Sequence, residues 1–181
     1  MKATKTLFII FFAVIAGSLA ITTSAIAEPT PVDSNPISHN ILAGAGAGYA
    51  TGIKSLGIFA KGVYQFTEAW EAAPQLVYYL EQDNITWFDV YLNANYVFYS
   101  LESMRFYGSA GLTLTRASYN YPKEMQEWVG ASSVSNTETN LNLGAGMYYN
   151  LTSSLLLNAD VKYTIGSADH LFIGAGIMFK F

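Results

Sequence analysis

The last eleven residues, Leu171 to Phe181, alternate between apolar and small or polar side chains. The apolar set is Leu171, Ile173, Ala175, Ile177, Phe179 and Phe181. A period of two is that of a β-strand, and one face of this strand would be apolar throughout. In water such a terminal strand would aggregate unless it were buried, whereas a strand that faces lipid needs an apolar surface. The pattern therefore favours a strand of a membrane β-barrel.

The N-terminus has the features of a secretory signal peptide. Lys2 and Lys5 precede an unbroken apolar run, Leu7 to Ala16, and Ala25-Ile26-Ala27 is a small-x-small cleavage motif. We therefore expect residues 1–27 to be a signal peptide that is cut after its last alanine. The alternative, a transmembrane anchor over the same segment, is weakened by the glycine, serines and threonines between residues 17 and 24.

Composition excludes several classes of function. Without Lys2 and Lys5 the net charge goes from −4 to −6, which argues against a nucleic-acid ligand and against a basic membrane-binding patch. The chain has no cysteine, so neither disulfides nor thiolate metal sites are possible, and its two histidines are far apart. We expect neither a metal nor a cofactor. Residues 28–38 contain three prolines and are predicted to form an extended periplasmic tail before a single domain, residues 39–181.

Seven further segments alternate in the same way, while no apolar run after the signal reaches the ~18 residues that a membrane-spanning helix requires. This predicts an all-β fold, an eight-stranded antiparallel up-and-down transmembrane β-barrel. The predicted strands are 39–50, 54–66, 70–81, 86–98, 104–116, 136–149, 153–165 and 171–181. An even strand number puts both termini on one side with the short turns, and the long segment 117–135 on the other. Whether Pro74 marks a bulge or a strand start is left open.

The predicted inward face carries nine charged side chains of nearly balanced sign. They are Lys61, Glu71, Glu81, Asp89, Arg105, Glu138, Asp160, Lys162 and Lys180. Buried charges are tolerated only when they are paired, and eight strands leave just enough room for side chains to fill the interior. We therefore expect a structural ion network that plugs the lumen. Acid–base catalysis by these carboxylates is the alternative.

Glycines alternate along the first and last predicted strands, which must pair to close a barrel. They are Gly44, Gly46, Gly48, Gly174 and Gly176. We expect this small-residue wall to make room for Arg105, Tyr91 and Tyr107 from the far side of the lumen; otherwise these are merely weak strand positions.

Two outer segments carry candidate functional residues. Ser167, Asp169 and His170 invite a hydrolase interpretation, but neighbours in sequence rarely form a triad, so a solvated turn is expected. The long segment carries three large side chains. They can either anchor a partner or fold back on the barrel rim, and the sequence favours neither interpretation. These are Tyr121, Met125 and Trp128.

Three short motifs carry a resemblance to a known family. They are the terminal Ile177-x-Phe179-x-Phe181, Val63-Tyr64-Gln65-Phe66-Thr67 and Tyr149-Asn150-Leu151-Thr152, the last two lying before predicted tight turns. From about Ile41 to Phe181 the chain resembles the small eight-stranded outer-membrane barrels, namely the opacity-protein-like surface antigens and the OmpA-type transmembrane domain. The resemblance implies a monomer in the outer membrane of a Gram-negative bacterium, in contact with lipid and lipopolysaccharide. It also implies that Ile177, Phe179 and Phe181 form the signal that the outer-membrane assembly machinery reads.

The same family includes adhesins, serum-resistance proteins, membrane anchors and a few lipid A-modifying enzymes. The lipid A deacylases of this shape carry a His-x-Ser pair near the last strands, whereas here His170 is followed by Leu171 and Phe172. We therefore predict a non-enzymatic protein that acts in envelope integrity or adhesion through its outer loops, chiefly 117–135, towards a host or cell-surface ligand. The alternatives are a lipid A-modifying enzyme and a soluble periplasmic lipocalin-like binder, whose apolar faces would point inward.

Overall fold

The computed structural model describes residues 41–122, 128, 130, 133–167 and 169–181. These residues form one closed barrel in which each strand pairs antiparallel with the next and β1 pairs with β8. The strands are β1 (Ile41–Ala50), β2 (Ser55–Gln65), β3 (Trp70–Tyr79), β4 (Ile85–Ser100), β5 (Met104–Asn120), β6 (Ser133–Asn150), β7 (Leu155–Ile165) and β8 (His170–Lys180). The predicted eight-stranded antiparallel up-and-down barrel is confirmed. In the described part, no helix is long and apolar enough to cross a membrane.

Side chains alternate between the two faces of the barrel wall as the sequence pattern predicts. On β2, Leu56 and Ile58 face outward and are 58% and 60% exposed, whereas Phe59 and Lys61 further along the strand are buried inside. The outer surface is therefore apolar and the inner surface carries the charges. A lipocalin-like calyx requires the opposite arrangement.

The two ends of the barrel differ in their connections. The turn end carries both termini of the barrel and the connections 66–69, 101–103 and 151–154. The loop end carries the connections 51–54, 80–84, 121–132 and 166–169. The predicted signal peptide, the periplasmic tail and the first two residues of the predicted barrel, 39 and 40, lie outside the described residues.

The expected loop 117–135 is shorter than predicted, because both flanking strands continue into it. The β5–β6 ladder extends without a register shift to the pair Asn120↔Ser133. Residues 117–120 and 133–135 are mostly polar, so the ladder persists after the apolar alternation of the sequence has ended.

Pro74 lies inside β3 and marks neither a bulge nor a strand start. The N–H of Leu80 donates to Leu56 O (2.8 Å), so the even-numbered residues of β3 direct their N–H groups towards β2. A proline at an even position therefore removes one bond of the β2–β3 ladder. Pairing lapses here, between Lys61↔Gln75 and Tyr64↔Ala72, and resumes in the same register.

The glycines of β1 and β8 form the seam where the barrel closes, but they make room for different side chains than expected. A Cβ on Gly46 would lie 2.5 Å from Cζ of Phe59, and one on Gly176 would lie 2.8 Å from the same atom. Phe172 covers Gly48 and Gly174 in the same way. The prediction that the glycines make room for Arg105, Tyr91 and Tyr107 was wrong. Aromatic side chains on the last strand and on β2 fill this space instead, because they start closer to the seam than side chains from across the lumen.

Candidate functional site

A carboxylate between two lysines lies in the middle of the lumen. Asp160 on β7 accepts hydrogen bonds from Lys61 Nζ (3.0 and 3.1 Å) and from Lys162 Nζ (2.9 Å), and all three residues are at least 97% buried. Tyr107 OH also donates to Asp160. Lys61 donates further to Tyr107 OH (2.8 Å) and Asn158 Oδ1 (3.1 Å), and Lys162 donates to Gln75 Oε1. The two cations and their anion are therefore enclosed by side chains that satisfy them.

A second cluster is centred on Glu71 and lies towards the turn end. Glu71 is fully buried, and its Oε1 accepts from Arg105 Nη1 (3.3 Å). Its Oε2 accepts from Asn95 Nδ2 (3.2 Å) and from Tyr148 OH (3.3 Å). The Arg105 guanidinium lies 5.0 Å from the centroid of the Tyr148 ring, an arrangement that stabilises a cation.

A third cluster is centred on Asp89 and lies towards the loop end. Asp89 Oδ2 accepts from Tyr79 OH (2.8 Å) and Tyr91 OH (3.2 Å) and lies 3.0 Å from His170 Nε2. His170 Nε2 is also 3.1 Å from Tyr91 OH, and its side chain is buried. The histidine that was expected in a solvated turn is therefore an interior residue.

Three of the nine charges predicted for the lumen network lie apart from these clusters. Glu81 is exposed beyond the end of β3 and accepts from Asn120 Nδ2 (3.1 Å). Glu138 is half-buried near the loop end and accepts from Asn136 Nδ2 (3.1 Å). Lys180 is exposed and, with Arg105, lines a cavity of about 310 Å³ at the turn end. The other six take part in the three clusters.

The residues that complete these clusters were not singled out in the sequence as network members. They are the tyrosines Tyr79, Tyr91, Tyr107 and Tyr148, the amides Gln75, Asn95 and Asn158, and His170. The alternation of the sequence could have identified them, because it places each of them on the inward face together with a charged residue of its own or the neighbouring strand. A buried polar side chain requires a partner, and these side chains are the nearest ones to the charges.

The structure does not bring Ser167, Asp169 and His170 together as a catalytic site. Ser167 and Asp169 are exposed, and Asp169 Oδ2 accepts from Tyr163 OH (2.9 Å). His170 points into the lumen towards Asp89 instead. Within the described ranges, no group of three or more histidine, aspartate or glutamate side chains could hold a metal ion.

The loop end carries the candidate partner-binding residues. Trp128 is 92% exposed, whereas Tyr121 is half-buried and packs edge-on against Tyr119 with their ring centroids 5.4 Å apart. Met125 lies outside the described residues. One of the three predicted side chains is therefore exposed, and another packs against Tyr119 of β5.

The terminal strand turns its aromatic residues outward. Phe179 is 52% and Phe181 78% exposed, and Ile177 lies on the same outer face. Trp70 and Tyr96 pack together on the outside of β3 and β4 near the same end, with centroids 5.0 Å apart. At the turn end β4 bulges between Val97 and Tyr99, which leaves both Phe98 and Tyr99 exposed. This outer aromatic surface suits a membrane–water interface.

Comparison with solved structures finds the same fold. The N-terminal β-barrel domain of OprF from Pseudomonas aeruginosa is 21% identical (TM-score 0.64) over 79% of this chain and 98% of that chain. Neisserial surface protein A is 20% identical (TM-score 0.61; 78% and 96% covered). Ail, the attachment invasion locus protein of Yersinia pestis, is 19% identical (TM-score 0.59; 79% and 99% covered).

A search of curated proteins found no match. The family model described as outer membrane protein beta-barrel domain matches residues 14–181, which include every strand of the barrel. The chain therefore belongs to this family of outer-membrane β-barrel proteins, which reside in the outer membrane of Gram-negative bacteria.

Proposed function

We propose that the protein is a non-enzymatic outer-membrane barrel that acts in surface interaction through the β5–β6 hairpin, with a contribution to envelope integrity. The observation that carries the proposal is the extension of this hairpin. The β5–β6 ladder reaches Asn120↔Ser133, whereas the β6–β7 ladder ends at Leu141↔Ile165. β6 therefore extends beyond β7, and the segment that joins it to β5 carries an exposed tryptophan, Trp128, a side chain that is enriched at binding hot spots.

The interior supports a plugged lumen. Two apolar clusters, one towards each end, pack together with the three ionic clusters, and their largest fully enclosed members are Tyr79, Tyr91, Phe172, Tyr107, Tyr148 and Met178. Each of these six side chains is fully buried. A barrel filled in this way offers its outer surface and its loops to partners, and no wide pore.

The arrangement around His170 argues against a lipid A-modifying enzyme. A histidine base must reach its substrate, but His170 is 2% exposed and contacts Asp89 and Tyr91 within the lumen. The exposed Ser167 and Asp169 form no dyad with it. Lipid A on the outer wall has no route to this histidine through the closed barrel.

The charge of the loop end bears on the kind of partner. Ail has been solved in complex with the heparin analogue sucrose octasulfate, a polyanion. Among the described residues at the loop end, the acidic Glu81, Asp83, Glu138 and Asp169 outnumber the basic Lys54 and Arg116. We therefore propose a neutral or basic cell-surface partner, and place lipopolysaccharide and membrane lipid around the apolar outer wall.

A shortened variant tests the role of the β5–β6 connection. Replacing residues 121–132 with Asn-Gly joins the last paired residues, Asn120 and Ser133, by a two-residue hairpin turn. We expect attachment of producing bacteria to a cultured epithelial monolayer to fall at least tenfold, while the SDS-resistant barrel stays equally abundant. Trp128→Ala should lower attachment several-fold without any change of chain length.

Unchanged attachment of the shortened variant would overturn the role of the hairpin tip. If loss of the whole protein raised sensitivity to detergent and the shortened variant restored resistance, the protein would act in envelope integrity alone.

Unaltered lipid A masses on overproduction are expected, and a modified lipid A species would establish the enzymatic alternative.

A further inference from the structure

β6 has one unpaired edge near the loop end. Its pairing with β7 ends at Leu141↔Ile165, whereas its pairing with β5 continues to Ser133. Within the described ranges, no backbone hydrogen bond joins residues 133–139 to any segment other than β5. We call residues 133–139 the free edge.

The direction of the backbone groups on the free edge follows from one bond at the other end of β6. The N–H of Asn150 donates to Ser103 O (2.8 Å) next to β5, and the β5–β6 register has no shift along its length. Successive residues of a strand direct their N–H and C=O groups to opposite sides, so even-numbered residues of β6 bond to β5. Ser133, Ser135, Thr137 and Thr139 therefore direct their N–H and C=O groups away from β5.

Lysine, proline and bulges, three of the usual protections of an exposed edge, are missing here, and the one charge on the edge is the inward-facing Glu138. Natural proteins block edge strands with lysine, proline or bulges, because a free edge pairs with other extended chains. The free edge contains no lysine, arginine or proline and has no bulge in its ladder with β5. Its residues are serine, valine, asparagine, threonine and one glutamate, which are all exposed except the half-buried Glu138.

The inner face next to the free edge has features that indicate the chemistry of an added strand. Glu138 Oε1 accepts from Asn136 Nδ2, whereas Glu138 Oε2 is buried and has no hydrogen-bond partner within the described ranges. Beside it lies a cavity of about 180 Å³ that is lined in part by Trp87, Ala117 and Ser167. A residue opposite Glu138 on an added strand would place its side chain on this face, within about 5 Å between Cβ atoms.

We propose that the free edge binds an extended polypeptide of a partner protein by strand addition, and that this segment places a lysine or arginine opposite Glu138. The free N–H and C=O groups would continue the sheet, and the cation would pair with the unpartnered carboxylate oxygen. The aliphatic stem of the cationic side chain would pack beside the Trp87 ring. The proposal rests on the proposed surface-interaction function and specifies where and how the partner binds.

The test uses the full-length protein in lipid nanodiscs and a fluorescent seven-residue probe. The probe alternates threonine and valine around a central lysine, so that lysine and both valines share one face. Matched peptides carry norleucine or glutamate at the centre. We expect the lysine peptide to bind most tightly, the norleucine peptide several-fold more weakly and the glutamate peptide not detectably.

Two pairs of variants separate the edge from its side chains. Thr137→Pro removes one N–H of the free edge and no bond to β5, whereas Thr137→Val changes the same side chain and keeps that N–H. Thr137→Pro should weaken probe binding at least tenfold and Thr137→Val less than twofold. Glu138→Gln should abolish the preference for lysine over norleucine. The heat-dependent gel mobility of every variant confirms that the barrel is folded.

Absence of probe binding to the wild-type protein, or equal binding by Thr137→Pro and Thr137→Val, would overturn the proposal. Concentration-dependent dimerisation that Thr137→Pro abolishes would assign the edge to a second copy and would also overturn it. The Asn-Gly variant that lacks residues 121–132 keeps the free edge. It should still bind the probe, so failure of the hairpin-tip function and failure of the strand-addition site are distinguishable.

Discussion

At the scale of single residues, the interior is organised around three carboxylates. Each carboxylate accepts hydrogen bonds from several side chains. Asp160 has two lysines and a tyrosine, Glu71 has an arginine, an amide and a tyrosine, and Asp89 has two tyrosines and a histidine. Burying a charge is costly, and the cost is offset only where hydrogen bonds and opposite charges surround it. Removal of the shared acceptor should therefore cost more stability than removal of one donor.

Asp160→Asn tests this directly. The substitution leaves Lys61 and Lys162 buried without an anion, and we expect a loss of about 3–5 kcal/mol in the free energy of unfolding. Denaturant unfolding of the barrel in phospholipid vesicles measures it. Glu102→Gln in an exposed turn is the control and should change stability by less than about 0.5 kcal/mol. Adding Lys162→Met to Asp160→Asn should recover part of the loss, and equal stability of Asp160→Asn and the control would contradict this account.

The glycines of the closing seam differ sharply in the space around them. Gly46→Ala should destabilise the barrel by about 1–3 kcal/mol, because the new methyl group meets the Phe59 ring and the backbone of β8. At Gly108 no atom lies within 4 Å of an added Cβ, so Gly108→Ala should be neutral or stabilising by about 0.5–1 kcal/mol. The same unfolding assay compares them, and an equal shift for both variants would show that packing at the seam does not matter.

At the scale of elements, we propose that the last strand has two separable roles. Its inward residues close the barrel against β1, whereas Phe181 is 78% exposed and follows the last ladder pair of β8. The Phe181 N–H donates to Ile41 O (2.9 Å), so the exposed part of this residue is its side chain, and we propose that the aromatic ring is recognised during assembly.

Phe181→Ala should lower the amount of assembled barrel in cells several-fold. The denaturant midpoint of the refolded protein should stay unchanged, because few native contacts are lost. The fraction of protein with heat-dependent gel mobility measures assembly. Phe98→Ala, which also removes an exposed aromatic residue near the turn end, should assemble normally. A reduced midpoint for Phe181→Ala would instead assign this residue a role in stability.

At the scale of the whole molecule, the arrangement is a closed apolar outer surface around a charged and aromatic interior. Among the described residues, closure leaves no strand edge in the barrel wall, and the exposed edge considered above lies on the part of β6 that extends beyond β7. We therefore propose that protein partners meet the barrel at its loop end.

From the proposed plugged lumen we expect lipid vesicles that contain the protein to leak a small sugar no faster than empty vesicles. Osmotic swelling of the vesicles measures the leak. Swelling above that of empty vesicles would show that the lumen conducts and would overturn the plugged interior. Tyr148→Ala combined with Met178→Ala removes two fully buried side chains and should raise the rate.

The alternating sequence by itself determined the fold class, the eight strands and the face on which each residue lies. Alternation is a local property of the chain. Because the outer face of the barrel must be apolar and the charges must lie inside, each alternating strand can be oriented in only one way. Only the tertiary structure decided which inward residues meet. Lys61 and Asp160 are 99 positions apart, and their contact depends on barrel closure and strand stagger. The same stagger sets the position of Glu81, Glu138 and Lys180 along the barrel axis. The alternation of the sequence predicted these three residues in the lumen network, whereas the structure places them near the ends of the barrel. The free edge likewise depends on where β6 and β7 part, which no local pattern specifies.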